Sequence, residues 1–368
     1  MNPHVRKITA TLLLLVFSIQ LAFPCTGVRL IAKDGSVIFA RTMEWGTFDL
    51  NSRITVIPRN FTLRDKMPDG KGGLAWKTKY GAIGIDALNK DVLIDGMNEK
   101  GLTVSGFYHD GYAKYSEYQP AKAENTLNIL GLFPYLLTTC ANTDEVKAAM
   151  KNINVIGIPE PAIGMAPPLH LALTDAGGKT IVIEFTNGVS VIHDAPLGVV
   201  TNGPNYDWHM ENLLNYVDLN TSLVKRKIDK LSDVKFGGGD RFFGIPGDIT
   251  SPSRFINVAA LASTARPLAN GKETMYEAFR ILDHFNLPLG NAAEGGGKVD
   301  NSTLRSATLW TTAYDTKNKI MYYHTANNRR VRQIDFSQVN FDAKTIARLP
   351  LDEKREQDID NITPRLRN

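Results

Sequence analysis

Cys25 closes an apolar leader and opens Cys25-Thr26-Gly27, so a single cut at Pro24-Cys25 leaves a chain whose first residue carries both a thiol and a free α-amine. An unperturbed α-amine titrates near ~8, well below a lysine amine, and can serve as base to the thiol of its own residue. The chemistry this placement predicts is nucleophilic attack without a partner histidine. Arg41, Glu44, Asn202 and Arg254 are further polar groups along the chain. Taken alone, each has a plain structural reading. Arg41 and Glu44, three apart, could form a surface ion pair, Asn202 before Gly203-Pro204 is a natural turn residue, and Arg254 could sit at a helix start capped by Ser251 or Ser253.

Competing chemistries are poorly represented. Cys25 and Cys140 are the two cysteines, and in an exported chain they admit a disulfide reading beside the nucleophile reading. Cys140 sits in Leu136-Leu137-Thr138-Thr139-Cys140-Ala141, an apolar helical pattern that suits a buried inert thiol. His170 alternates with apolar neighbours as in a strand, and His209 falls in the amphipathic run from Asp207 to Leu213, so both read as structural. No HExxH, CxxC or Walker pattern occurs, and Gly237-Gly238-Gly239 runs into Asp240-Arg241. Neither a metal nor any other cofactor is expected.

The leader has the marks of an export signal: Arg6 and Lys7, an apolar core from Ile8 to Phe17, and small Ala22 three residues before Cys25. It is shorter than the ~20 apolar residues of a membrane span, so no stable anchor is expected. Pro24 is awkward at a signal-peptidase site, and a cut after Ala22 with later trimming of Phe23-Pro24 is the alternative. Pro24 also argues against a lipidated cysteine, whose acylated amine would no longer be a base. The expected location is the periplasm or the exterior.

The whole chain has 368 residues, of which 43% are hydrophobic and 22% charged, as in a folded enzyme, and its net charge of +4 offers no basic block for nucleic acid. It divides into a signal peptide over 1–24, one domain over 25–345 and a polar, solvated tail over 346–368. Within the domain, Val28 to Ile31 and Val37 to Ala40 read as a hairpin about Lys33-Asp34-Gly35, and Val92 to Gly96 with Leu102 to Tyr108 as a second about Gly101. Helical spacing covers Thr126 to Leu137 and Thr143 to Met150, the latter capped by Asn142 or Thr143. Strands follow at 169–174, 180–185 and 189–193, helices at 208–216, 254–265 and 274–285, and closing strands at 307–315, 320–324 and 331–336. Alternating blocks of strands and helices predict a layered α+β sandwich.

Six segments together resemble the choloylglycine hydrolase and penicillin V acylase family. They are Cys25-Thr26-Gly27, Arg41 to Trp45, Asp95 to Leu102, Ala166 to His170, Thr201 to His209, and Gly244 to Phe255, in that order from Cys25 to about Phe336. The resemblance implies an N-terminal-nucleophile hydrolase of four-layer αββα architecture that cleaves linear amides. It places the nucleophile on Cys25, an arginine beside the thiol on Arg41, and the acid that holds the α-amine on Glu44, where the family usually has aspartate. It also places an oxyanion-side residue on Tyr108, the oxyanion asparagine on Asn202 and a second arginine on Arg254. Met43, Trp45 and the Tyr108 loop would line an apolar acyl pocket. Tyrosine at 108 leans toward penicillin V acylase, since many bile salt hydrolases carry asparagine there. A bile salt hydrolase or an acyl-homoserine lactone acylase is the alternative, and a non-catalytic secreted binding protein with Cys25 tied to Cys140 is a third reading. A small-molecule amide is the expected partner, in a dimer or tetramer by resemblance.

Overall fold

The computed structural model describes residues 24–46, 49–216, 242, 244–288 and 307–366. The leader before Pro24 and the Gly237–Arg241 stretch lie outside them. The first half of the chain runs β1 (Thr26–Ile31), β2 (Val37–Trp45), β3 (Arg53–Ile57), β4 (Thr62–Lys66), β5 (Gly72–Lys77), β6 (Ala82–Ala87), β7 (Lys90–Asn98), β8 (Thr103–Tyr108), β9 (Thr126–Asn128), α1 (Ile129–Thr139) and α2 (Thr143–Met150). The second half runs β10 (Asn154–Ile156), β11 (Leu169–Thr174), β12 (Thr180–Thr186), β13 (Val189–Asp194), β14 (Val199–Val200), α3 (Tyr206–Leu213), α4 (Ser251–Thr264), α5 (Gly271–Asp283), β15 (Ala307–Asp315), β16 (Ile320–Thr325), β17 (Arg332–Asp335) and β18 (Ala347–Pro350).

Two sheets form the centre. One has the order β14-β1-β2-β15-β16-β17 and the other β13-β12-β11-β8-β7-β6-β3-β18. Strand alternation divides the second sheet between two cores. Ala172, Val182, Ile83 and Ile85 join the core shared with the first sheet and with α4 and α5, whereas Leu171, Leu173, Ile181 and Ile183 join α1 on the outer side. The order of layers is therefore helix, sheet, sheet, helix: the expected αββα sandwich.

Both predicted hairpins form. In the first, Asp34 Oδ1 accepts from Ser36 N–H (2.9 Å) and Gly35 takes φ +80°. In the second, Asn98 Oδ1 accepts from Lys100 and Leu102 N–H, and Gly101 has φ +83°. Gly27 on β1 packs closely against the second sheet, where an added Cβ would lie 2.7 Å from Phe107 Cζ. A side chain there would push β1 off its neighbour at a cost of about 1–3 kcal/mol.

Several boundaries differ from expectation. Thr126–Asn128 is a strand paired in parallel with β10, so α1 starts at Ile129. The helix expected at 208–216 begins two residues earlier, at Tyr206, and tightens to a 3₁₀ turn over Leu214–Tyr216. Helix α4 starts at Ser251 after an N-cap at Thr250, which puts Arg254 in its first turn in place of its first position. The start of the polar tail packs on the domain: β18 pairs with β3, Tyr323 OH donates to Leu351 O, and Arg332 pairs with Asp352 (2.5 Å), while residues 353–366 are exposed. Strands β3 to β6 had no sequence-based assignment.

Candidate active site

Strand alternation sorts the candidate residues. On β2, Arg41 faces the second sheet, where its Nη2 donates to Gly106 O on β8 (2.7 Å) and its guanidinium lies 4.9 Å from the Phe107 ring and 5.0 Å from the Trp310 ring. Glu44, of opposite parity, accepts from Thr42 Oγ1 (3.0 Å) and from Thr308 Oγ1 on β15 (2.7 Å). Both side chains are fully buried. A surface ion pair between them is therefore overturned, because residues three apart on a strand point to opposite faces.

Asn202 reaches Cys25 through the sheet. Strand β14 pairs with β1 at Val200↔Gly27, and continuing that antiparallel register by two residues sets Asn202 opposite Cys25. Its Nδ2 donates to Tyr108 O (2.8 Å) and its Oδ1 accepts from Arg254 Nη2 (2.8 Å), so it is more than a turn residue. Arg254 reaches in from α4. Its Nη1 donates to Cys25 O and to Thr26 Oγ1 (2.6 Å), and its Nε donates to Ile249 O (2.9 Å). One guanidinium thus ties the first residues of β1 to Asn202.

Electrostatics separates these groups further. Burial pushes the Cys25 thiol up, while Arg41, the Glu44 backbone N–H and Arg254 pull it down and the Glu44 carboxylate adds to the rise. Arg41 favours the thiolate as expected, but in the chain joined to Pro24 burial prevails. Burial also raises the Glu44 carboxyl to about 7 against the pull of Thr308 and Arg254. Arg254 itself falls to about 10 through burial. Nε and Nη1 of Arg41 have no hydrogen-bond partner among the described residues.

Cys25 lines an apolar cavity of about 70 Å3 that is partly open to solvent. Met43, Trp45 and Tyr108 line it as expected, with Trp45 set edge-on to Tyr108 (6.2 Å between centroids). Leu88, Ile94 and Ile163 were not foreseen as lining, and neither was the ion pair of Lys90 with Glu160 (2.6 Å). Lys90 and Glu160 are seventy residues apart with no local signature. Thr308, which holds Glu44 from β15, was missed for the same reason, whereas Thr42, two residues from Glu44 on the same face of β2, was not singled out. Cys140 belongs to the outer core with α1, on the other side of the second sheet, and both thiols are free, so the disulfide reading is overturned.

The sequence profile described as linear amide C–N hydrolases, choloylglycine hydrolase family, matches residues 25–348. The chain is 33% identical over 327 residues to a bile salt hydrolase/transferase of Clostridium perfringens, spanning 88% of this chain and 95% of that one. It is 22% identical to a penicillin V acylase of Pectobacterium atrosepticum, over 92% and 89% of the two chains. Among solved structures, a variant of the conjugated bile acid hydrolase of Clostridium perfringens superposes with TM-score 0.78 at 29% identity, covering 92% of this chain and all of that one. Penicillin V acylase from Agrobacterium tumefaciens superposes with TM-score 0.70 at 23% identity, covering 89% and 91%, and so shares the fold. The lean toward penicillin V acylase taken from Tyr108 is thus weaker than the likeness to bile salt hydrolases. With its αββα sandwich and a buried cysteine at the head of β1, the chain belongs to the choloylglycine hydrolase family of linear amide C–N hydrolases.

Proposed function

We propose that this chain is an exported cysteine N-terminal-nucleophile amidohydrolase that splits the amide between an apolar acyl group and a small amine, with conjugated bile acids as its substrate class. One observation carries the reading. The Cys25 thiol lines an apolar cavity while Arg254 holds both the Cys25 carbonyl and the Asn202 amide. Removal of the leader at Pro24-Cys25 frees the α-amine, which takes the thiol proton. The sulfur attacks the amide carbon, and its oxygen becomes an oxyanion. Asn202 has two N–H groups on Nδ2, one given to Tyr108 O and the other available to that oxyanion together with a neighbouring backbone N–H. The C–N bond breaks as the leaving amine is protonated, and water, deprotonated by the α-amine, then hydrolyses the thioester.

In this mechanism Arg41 lowers the cost of the thiolate, and Glu44 holds the α-ammonium in the role aspartate usually fills. The ordinary charged state of Glu44 returns once an ammonium stands beside it. Met43, Trp45 and Tyr108 take the acyl skeleton. Hydrolysis rates of glycocholate, taurocholate and penicillin V by protein beginning at Cys25 test the proposal. The conjugated bile acids should be cleaved faster. Tyr108 favours a second reading, penicillin V acylase, and the reverse ranking would select it. Hydrolysis of none of the three, nor of a long-chain acyl-homoserine lactone, would refute both.

A further inference from the structure

Beside Asn202 lies a cluster of buried groups that the proposed mechanism does not use: His109, His170, His209 and Glu184. His109, His170 and Glu184 bring their ligand-type atoms within 4.8 Å of one another, which invites a metal reading. The rings of His109 and His170 are stacked in parallel, 4.2 Å between centroids and 4° between planes. A metal must lie in the plane of every imidazole that binds it, and two stacked parallel planes share no point. As arranged, this is not the ligand set of one ion.

What the cluster does hold is backbone. His170 Nε2 lies 2.9 Å from Thr201 O and His209 Nε2 lies 2.9 Å from Asn202 O. A carbonyl only accepts, so each imidazole carries its hydrogen on Nε2 and donates. Burial drops His209 to about 4, which leaves it neutral with Nδ1 bare. Its ring stacks on Phe255 of α4 (4.8 Å, 11°), which fixes its orientation. On the far side of His170, Nδ1 stands 3.5 Å from Glu184 Oε1, which also accepts the first N–H of α3, from Tyr206 (2.7 Å). Glu184 Oε2 stands 3.2 Å from His193. Burial would raise the Glu184 carboxyl, but His170 and His193 facing it hold it well below the usual carboxylate range.

We propose that His170 and His209 are positioning residues for the oxyanion asparagine: their Nε2–H groups clamp the consecutive carbonyls of Thr201 and Asn202, and Glu184 fixes the start of α3. The clamp leaves the Asn202 backbone one orientation, so its side chain meets Tyr108 O, Arg254 and the space opposite Cys25. The inference rests on the reading of Asn202 as oxyanion donor. Sequence places these histidines more than thirty residues apart on a strand and a helix, and the sheet brings their acceptors into adjacent residues.

The test is a set of kcat and KM values for processed parent, His209→Leu, His209→Gln, Asn202→Ala and the double variant Asn202→Ala/His209→Leu, on the amide the parent cleaves best. His209→Leu keeps the apolar contact with Phe255 but removes the donor. It should lose roughly tenfold or more in kcat with KM within about twofold of the parent. Glutamine offers an N–H near the position of Nε2 and should restore most of that loss. The double variant should be no slower than Asn202→Ala alone, because His209 acts only through Asn202. His209→Leu at parental kcat, or losses that multiply in the double variant, would overturn the proposal. If His209→Leu does not fold, His209→Gln decides: near-parental kcat supports the clamp and a tenfold loss overturns it. Asn202→Ala at parental kcat removes the oxyanion reading itself, and the clamp with it, whereas loss there with full activity in His209→Leu removes the clamp alone.

Discussion

Cys25 and Cys140 are equally hidden, at 2% and 3% exposure, yet they stand in opposite kinds of surroundings. Cys140 caps α1 against the outer apolar core, where burial pushes its thiol up to about 11 and Thr139 with Lys79 only partly offsets the rise. Its carbonyl and that of Leu137 accept from Asn98 Nδ2, so this segment is held as a structural cap. Cys25 suffers the same burial but has Arg41 and Arg254 nearby, a backbone N–H from Glu44 and a cavity in front of it. Burial by itself makes a thiol inert; buried cations and an open face are what distinguish the candidate nucleophile.

Exchanging the cysteines should give the largest contrast. Cys25→Ala is expected to abolish amide hydrolysis, a loss of about 10³-fold or more because the covalent route is gone, whereas Cys140→Ala should leave kcat within about twofold. Steady-state rates on glycocholate read both, and equal losses would erase the distinction. Next in size, Asn202→Ala should lower kcat by about 10²–10³-fold through the missing oxyanion donor, with alkylation of Cys25 by iodoacetamide still proceeding. A parallel loss of alkylation would mean that Asn202 supports the thiol instead. Arg41→Met should slow that same alkylation by roughly tenfold at neutral pH, the direction expected when a nearby cation is removed from a thiolate. An unchanged rate would mean that Arg41 does not stabilise the thiolate.

The Glu44 prediction follows from linkage. An acid raised from 4.5 to about 7 on folding makes the uncut chain less stable as pH rises through that window, since the folded form holds the extra proton. Relative to the parent, uncut Glu44→Gln should therefore gain stability between pH 4.5 and 8, on the order of 3 kcal/mol, with no gain below pH 4.5. Urea unfolding at the two pH values reads the difference. In the processed chain the gain should shrink, because an α-ammonium would stabilise the charged carboxylate. The smallest effect belongs to Cys140→Ala, about 1–2 kcal/mol of stability from lost packing, with no change in its pH dependence below the thiol's ordinary titration range.

The hairpins and the strands from Leu169 to Asp194 were legible because turn glycines and two-residue alternation are local signals. The ribbon β4–β5 was not, since apart from buried Gly73 its residues are only half-buried or exposed. Strand β18 is exposed throughout and reads as tail, and only the free edge of β3 recruits it. In the site, Cys25 was legible from its place after the leader, and Arg41, Glu44, Asn202 and Arg254 from the ordered resemblance. Thr308, the Lys90–Glu160 pair and the histidines behind Asn202 come to the site only through the tertiary fold. The resemblance also included residues whose work is structural. Asp95 accepts from Ser105, Thr312 (2.7 Å) and Tyr314 (2.7 Å), fastening the two sheets together.

The intact mass of purified, active protein bears most directly on the central claim that Cys25 becomes the N-terminal nucleophile. The account predicts an active chain whose mass begins at Cys25 with an unmodified amine. An equally active chain that still carries Pro24, or whose Cys25 amine is acylated, would contradict it, because the base would then have to come from elsewhere.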